Sequence, residues 1–110
     1  MSEGATKPDF SGFRETSIVL NEKARGKDLI EVIGHAQDRM KTRGVSQQDV
    51  LNTLRGNTKN ISQSQPGRIR LRWQKTPKIF IDVVFEELKD RIRVITVIKT
   101  TRSLIGKHRK

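Results

Sequence analysis

The sequence predicts an α+β domain in which N-terminal helices pack on a small antiparallel β-sheet. Two periodicities carry that prediction. From Asp28 to Leu54 apolar residues recur at three- and four-residue steps, and from Arg68 to Thr100 they alternate with polar ones. Length sets the scale: 110 residues with 33% hydrophobic content suffice for one modest core and leave no room for a second domain.

Taken in order, residues 1–12 read as a flexible leader, 13–101 as the single domain and 102–110 as a basic tail. Ile18-Val19-Leu20 is an apolar island of undecided type. Leu29, Ile30, Val32, Ile33, Ala36 and Met40 suit a helix running to about Thr42, or, if Gly34 breaks it, a strand over 29–33 before a shorter helix. Gly44 supplies a left-handed stop, and Ser46 with Asp49 forms a capping box that opens a second helix, with Val50, Leu51 and Leu54 on its apolar face and Gly56 at its end. The polar run 57–67 reads as a loop. Three strands joined by short turns follow as a meander. The first sets Ile69, Leu71 and Trp73 against Arg68, Arg70 and Arg72; the second has Ile79, Ile81, Val83 and Phe85 on one side; the third has Ile92, Val94, Thr96 and Ile98 on one side.

Lys and Arg number 23 against 12 Asp and Glu, a formal charge of +11, so an anionic polymer is the natural partner. The charge is uneven: residues 1–65 carry 10 basic and 8 acidic side chains, residues 66–110 carry 13 and 4. The absence of cysteine excludes disulfide scaffolds, zinc ribbons and thiol nucleophiles. No apolar run approaches the roughly 20 residues a membrane-spanning helix needs, and Met1 to Ser11 is polar, unlike a signal peptide. Asp82, Glu86, Glu87 and Asp90 have no histidine-rich partner segment, so no metal site is expected. Walker loops, dinucleotide fingerprints and serine nucleophile elbows are also missing, and no cofactor is expected.

The most informative phrase runs from Gly34 to Ser46. Within one short helix it places His35 and Arg39 on one stripe and Ala36 and Met40 on the adjoining apolar one, so the first can face a cleft while the second packs. An imidazole titrates near neutrality and can move the proton of a ribose 2′-hydroxyl, while a guanidinium one turn away can hold charge developing on a phosphate. The competing reading has His35 capping or packing at the helix start. Arg43, just before Gly44, also fits a cation complementing the helix C-terminal dipole. Arg68, Arg70 and Arg72 form a one-faced ladder that Arg91 and Arg93 extend if the strands pair; such a ladder can position RNA through its phosphates, or protect an edge strand by charge. Trp73 belongs with the core, and His108 lies in the tail.

The phrase His35-Ala36-x-x-Arg39-Met40-x-x-Arg43-Gly44-Val45-Ser46-x-x-Asp49-Val50, followed by strands ending Val94-Ile95-Thr96-Val97, resembles a bacterial family of toxin-like domains with the hallmark His-Ala-x-x-Arg-Met-x-x-Arg-Gly-Ile/Val-Ser. That family is similar to the barnase, EndoU, colicin and RelE (BECR) group of metal-independent ribonucleases. The group includes C-terminal toxins of contact-dependent growth inhibition proteins and toxins of toxin-antitoxin pairs. The resemblance implies a BECR-type fold and cleavage of RNA, above all tRNA, by transesterification to a 2′,3′-cyclic phosphate. It places His35 at the family's histidine and Arg39 and Arg43 at its arginines, with Thr96 or Thr100 of the last strand as the Ser/Thr near the scissile phosphate; the residues themselves add Lys99 as a further candidate to complete a catalytic site of His35 and Arg39, and Arg68, Arg70, Arg72, Arg91 and Arg93 beside Arg43 for RNA binding. It further implies an acidic immunity or antitoxin partner and action in the bacterial cytoplasm, with delivery as the C-terminal part of a larger exported protein as one route. Two alternatives stay open: a non-catalytic nucleic-acid-binding module, and a ribosome-dependent messenger-RNA nuclease.

Overall fold

A computed structural model describes residues 16–56, 59–62 and 67–102. The expected leader and the tail beyond Arg102 lie outside the described residues. Within them the chain runs β1 (Ile18–Leu20), β2 (Ile30–Val32), α1 (Gly34–Arg43), α2 (Gln47–Arg55), β3 (Lys59–Ser62), β4 (Arg68–Thr76), β5 (Ile79–Glu87) and β6 (Ile92–Thr101). The α+β class holds, with both helices packed on one face of a six-stranded sheet ordered β1-β2-β6-β5-β4-β3.

Three expectations need correction. The sheet is mixed, because β2 lies parallel to β6 in the register Ile30↔Ile92 and Val32↔Val94 while the other neighbours are antiparallel. A parallel pair needs a long crossover, here everything from α1 to β5, and hairpin spacing carries no sign of it. The run 57–67 is not wholly loop: Lys59–Ser62 pairs with β4 as an edge strand. Lys59-Asn60-Ile61-Ser62 holds one apolar residue, so it has no alternation to read. Finally, Ile92, Val94, Thr96 and Ile98 do not share a face. Val84 faces Thr96 but Phe85 faces Val94, leaving Ile95 as the extra residue of a β-bulge. Val94 and Ile95 are both buried, and the alternation beyond them is inverted: Val97 and Lys99 fall on the helix side, Thr96, Ile98 and Thr100 on the other.

Gly34 does divide the apolar run. Ile30 and Val32 are fully buried on the helix side of β2, Glu31 points to the opposite face, and α1 begins two residues later. Ala36 and Met40 of α1 and Val50, Leu51 and Leu54 of α2 close the core against Ile81, Val83, Phe85, Val94 and Val97. Burying several such side chains, each contributing about 1.5–3 kcal/mol, makes this layer the main source of stability. Trp73 packs against the same cluster, as its alternation predicts.

The helices begin and end as their sequences dictate. Gly44 takes the left-handed conformation at φ 68°, and its N–H donates to the Met40 carbonyl. Ser46 Oγ accepts from the Asp49 amide at 3.0 Å while Asp49 Oδ2 accepts from the Ser46 amide at 3.1 Å, completing the capping box. Lys75 of β4 adds an ion pair to Asp49 at 3.1 Å. Burial alone would raise the Asp49 pKa, but the bonds from Ser46 and Lys75 outweigh it and hold the carboxyl below its ordinary value. A depressed folded-state pKa contributes stability that is fully present above the unfolded value and is lost as pH falls through the folded one. Asp49→Asn is therefore expected to lower stability by about 1 kcal/mol at neutral pH. The gap from wild type should close in urea melts below the carboxylate range, where both side chains are neutral.

Candidate functional site

The N-terminus of α1 is fixed by a close approach. A Cβ on Gly34 would collide with the Thr16 side chain, so only glycine lets the chain entering β1 pass over the start of this helix. Gln37 ties the same junction, its Nε2 donating to the carbonyls of Thr16 at 2.7 Å and Val32 at 2.9 Å. With Ala36 and Met40 facing the core, His35, Asp38, Arg39 and Lys41 are left exposed, and His35 and Arg39 stand one turn, about 6 Å, apart.

At the other end of α1, Arg43 Nη1 donates to the Val97 carbonyl at 3.0 Å. Lys99 Nζ lies 3.7 Å from where a Cβ on Gly44 would stand. Both cations thus sit at the helix C-terminus, where the macrodipole favours positive charge. Nine residues of helical rise, about 13 Å, separate the level of His35 from that of Gly44. His35 and Lys99 therefore mark the two ends of one cationic ridge with Arg39 between them. Among the described residues Arg39, Lys41, Arg43 and Lys99 have no carboxylate partner.

The remaining candidates lie elsewhere. Lys99 and Thr100 are adjacent on β6 and so point to opposite faces, and alternation puts Thr96 with Thr100. Neither threonine reaches the ridge on the helix side, so the five candidate catalytic residues do not assemble as one cluster. The arginine ladder shares that opposite face, as alternation predicts, but every member is committed to an acid. Arg70 and Arg72 both bond Asp82, at 2.7 and 2.9 Å. Arg68 pairs with Glu86, Arg91 with Asp90, and both Arg91 and Arg93 with Glu31 at 2.9 Å. Asp82 and Glu31 are wholly buried beneath these guanidiniums. The Asp82 bond is also what raises the Arg72 pKa, against the smaller opposing effect of burial. Glu87 pairs with Arg25, so each of the four acids of the β5 segment and its turn serves an ion pair. No group of three or more His, Cys, Asp or Glu among the described residues is placed to hold a metal ion.

Sequence reasoning passed over Lys41, Thr16 and Gln37. Lys41 was legible from helical spacing as a third exposed cation of α1. The contacts of Thr16 and Gln37 depend on a fold-back across 21 residues that local pattern does not encode. A depression of about 610 Å³ between the 23–28 turn and the end of α2, rimmed by Lys23, Arg25, Lys27 and Arg55, includes none of the predicted residues. No helix among the described residues is long and apolar enough to cross a membrane.

No curated protein and no solved structure matches this chain. A family model matches residues 33–99, from the N-cap of α1 to Lys99, and so takes in the whole cationic ridge. The chain belongs to the family described as Domain of unknown function (DUF4258).

Proposed function

We propose that this domain is a metal-independent endoribonuclease toxin of the BECR type, acting on RNA of the tRNA class through the α1 ridge. One observation carries the reading: the exposed histidine shares a helix stripe with cations that have no carboxylate partner among the described residues, while the arginines of the opposite face are held in pairs on buried acids, Arg70 and Arg72 on Asp82 and Arg91 and Arg93 on Glu31. Cations without an acid are the ones that gain most from a phosphate.

In this reading His35 takes the proton of the ribose 2′-hydroxyl, whose oxygen attacks the adjacent phosphorus. The bond from phosphorus to the 5′-oxygen breaks, leaving a 2′,3′-cyclic phosphate on one fragment and a 5′-hydroxyl on the other, its proton supplied by water at this exposed helix. Arg39 holds the charge that builds on the non-bridging oxygens, an effect worth a few kcal/mol when a donor is well placed. Lys99 and Arg43, at the far end of the helix, contact the next stretch of backbone. Thr96 and Thr100 have no part in this arrangement. A producing cell needs a neutralising protein, and the ridge calls for an acidic one.

The test is incubation of the purified protein with total bacterial tRNA in EDTA, with fragment ends mapped. Discrete products ending in cyclic phosphate support the reading. Intact tRNA with retained binding replaces it with a non-catalytic module, and cleavage only of ribosome-bound message replaces it with a ribosome-dependent toxin.

A further inference from the structure

Among the described residues, the face opposite the helices carries one aromatic side chain among its charges. Phe80 shares this face with Asp82 by strand alternation and is half-buried. The guanidiniums of Arg72 and Arg102 lie over its ring, 5.5 and 4.9 Å from the centroid. Thr100 stands directly across from Phe80 on β6. Arg72 is held by Asp82, which accepts from its Nε at 2.9 Å and its Nη2 at 3.1 Å. Arg70 is held by the same carboxylate, through Nε at 3.0 Å and Nη2 at 2.7 Å. Among the described residues, Nη1 of each therefore has no carboxylate contact and Arg102 has no acid.

We propose that this cluster is a binding site for single-stranded RNA, separate from the α1 ridge. An unstacked base rests on the guanidinium planes that the Phe80 ring supports, and the backbone phosphate is met by Arg102 and the outward nitrogens of Arg70 and Arg72. Three features favour that occupant. Planar cations stacked on an aromatic ring match a nucleobase and its phosphate together. The buried Asp82 fixes two of the guanidiniums before anything binds, which lowers the entropy lost on contact. The chain is strongly basic, with a net charge of +11. The choice of RNA over DNA rests on the function proposed above; the site itself does not depend on cleavage.

The test measures binding of a fluorescent twelve-nucleotide single-stranded RNA by anisotropy, in a His35→Ala background so that the probe stays intact. Phe80→Leu keeps apolar volume but removes the π face, and is expected to weaken binding by roughly 5- to 100-fold, with Phe80→Trp restoring it. Arg102→Gln should reduce the salt slope of binding by about 0.7, the value of one single-strand phosphate contact. Circular dichroism melts within about 2 °C of the parent show that the variants stay folded, as the half-buried position allows. Equal RNA affinity for Phe80→Leu and the parent overturns the proposal. So does an equal loss with a polyglutamate probe, which would assign the face to an acidic polypeptide. Because the readout is binding, either failure leaves the cleavage proposal standing, and loss of cleavage in His35→Ala leaves this one untouched.

Discussion

His35→Ala is expected to slow RNA cleavage by about 100- to 10,000-fold, the usual contribution of one positioned general acid or base, while leaving the melting curve nearly unchanged. The second half follows from geometry. His35 is exposed at the start of α1, and the N-cap residue is Ile33, which offers no side-chain cap, so truncating the imidazole opens no cavity in the core. The helix start is held instead by Gln37 and by the approach of Thr16 to Gly34. Single-turnover cleavage of tRNA in EDTA, with a thermal melt of the same sample, measures both quantities. Arg39→Ala should reduce the rate less, by about 100-fold, because it removes one electrostatic contact and not the proton acceptor. A fold that collapses in His35→Ala would return the residue to the capping role that its sequence position also allows. Full activity in a folded His35→Ala protein would remove it from the chemistry.

Glu31→Gln is expected to cause the largest loss of stability, about 3–5 kcal/mol, as when one partner of a buried ion pair is removed. Glu31 is fully buried, and its Oε1 accepts from the Nε atoms of Arg91 and Arg93, both at 2.9 Å. Its Oε2 accepts from Ser17 at 2.6 Å. The two arginine side chains retain only 7% and 14% exposure, so they cannot turn out to water when the charge is withdrawn. Glutamine keeps the shape but presents an amide where Ser17 now donates. Asp90, itself largely exposed, stays on Arg91, and Glu86 stays 3.8 Å from Arg93. Against a typical domain stability of 5–15 kcal/mol, such a loss should lower Tm by roughly 10–20 °C. A drop below about 5 °C would mean that the remaining contacts of this network carry the charge. The carboxylate also links residue 17 and β2 to β6, immediately before α1, so the variant that survives folding should hold His35 less firmly.

What the sequence carried is the information with short range. The capping box Ser46-Asp49, the left-handed Gly44, the break at Gly34 and the strict alternation from Arg68 to Trp73 each depend on residues within a turn or a strand of one another. Local sterics and local hydrogen bonds favour each of them, and at Gly34 the approach of Thr16 adds a tertiary reason. The His35 and Arg39 stripe is of this kind, which is why the core of the candidate site was legible.

Tertiary structure decided everything that needed a partner far along the chain. The parallel pairing of β2 with β6 joins residues 62 apart, and the bulge at Ile95 is visible only against the register of β5. Alternation already separates Lys99 from Thr96 and Thr100; the single extra residue decides that Lys99 is the one on the helix side. The arginine ladder shows the same limit in its energetics. Its alternation was readable, but whether those cations are available for phosphate is set by Asp82, Glu86 and Glu31, brought beneath them from two other strands. Charge composition counts cations; only packing decides which of them already have a carboxylate.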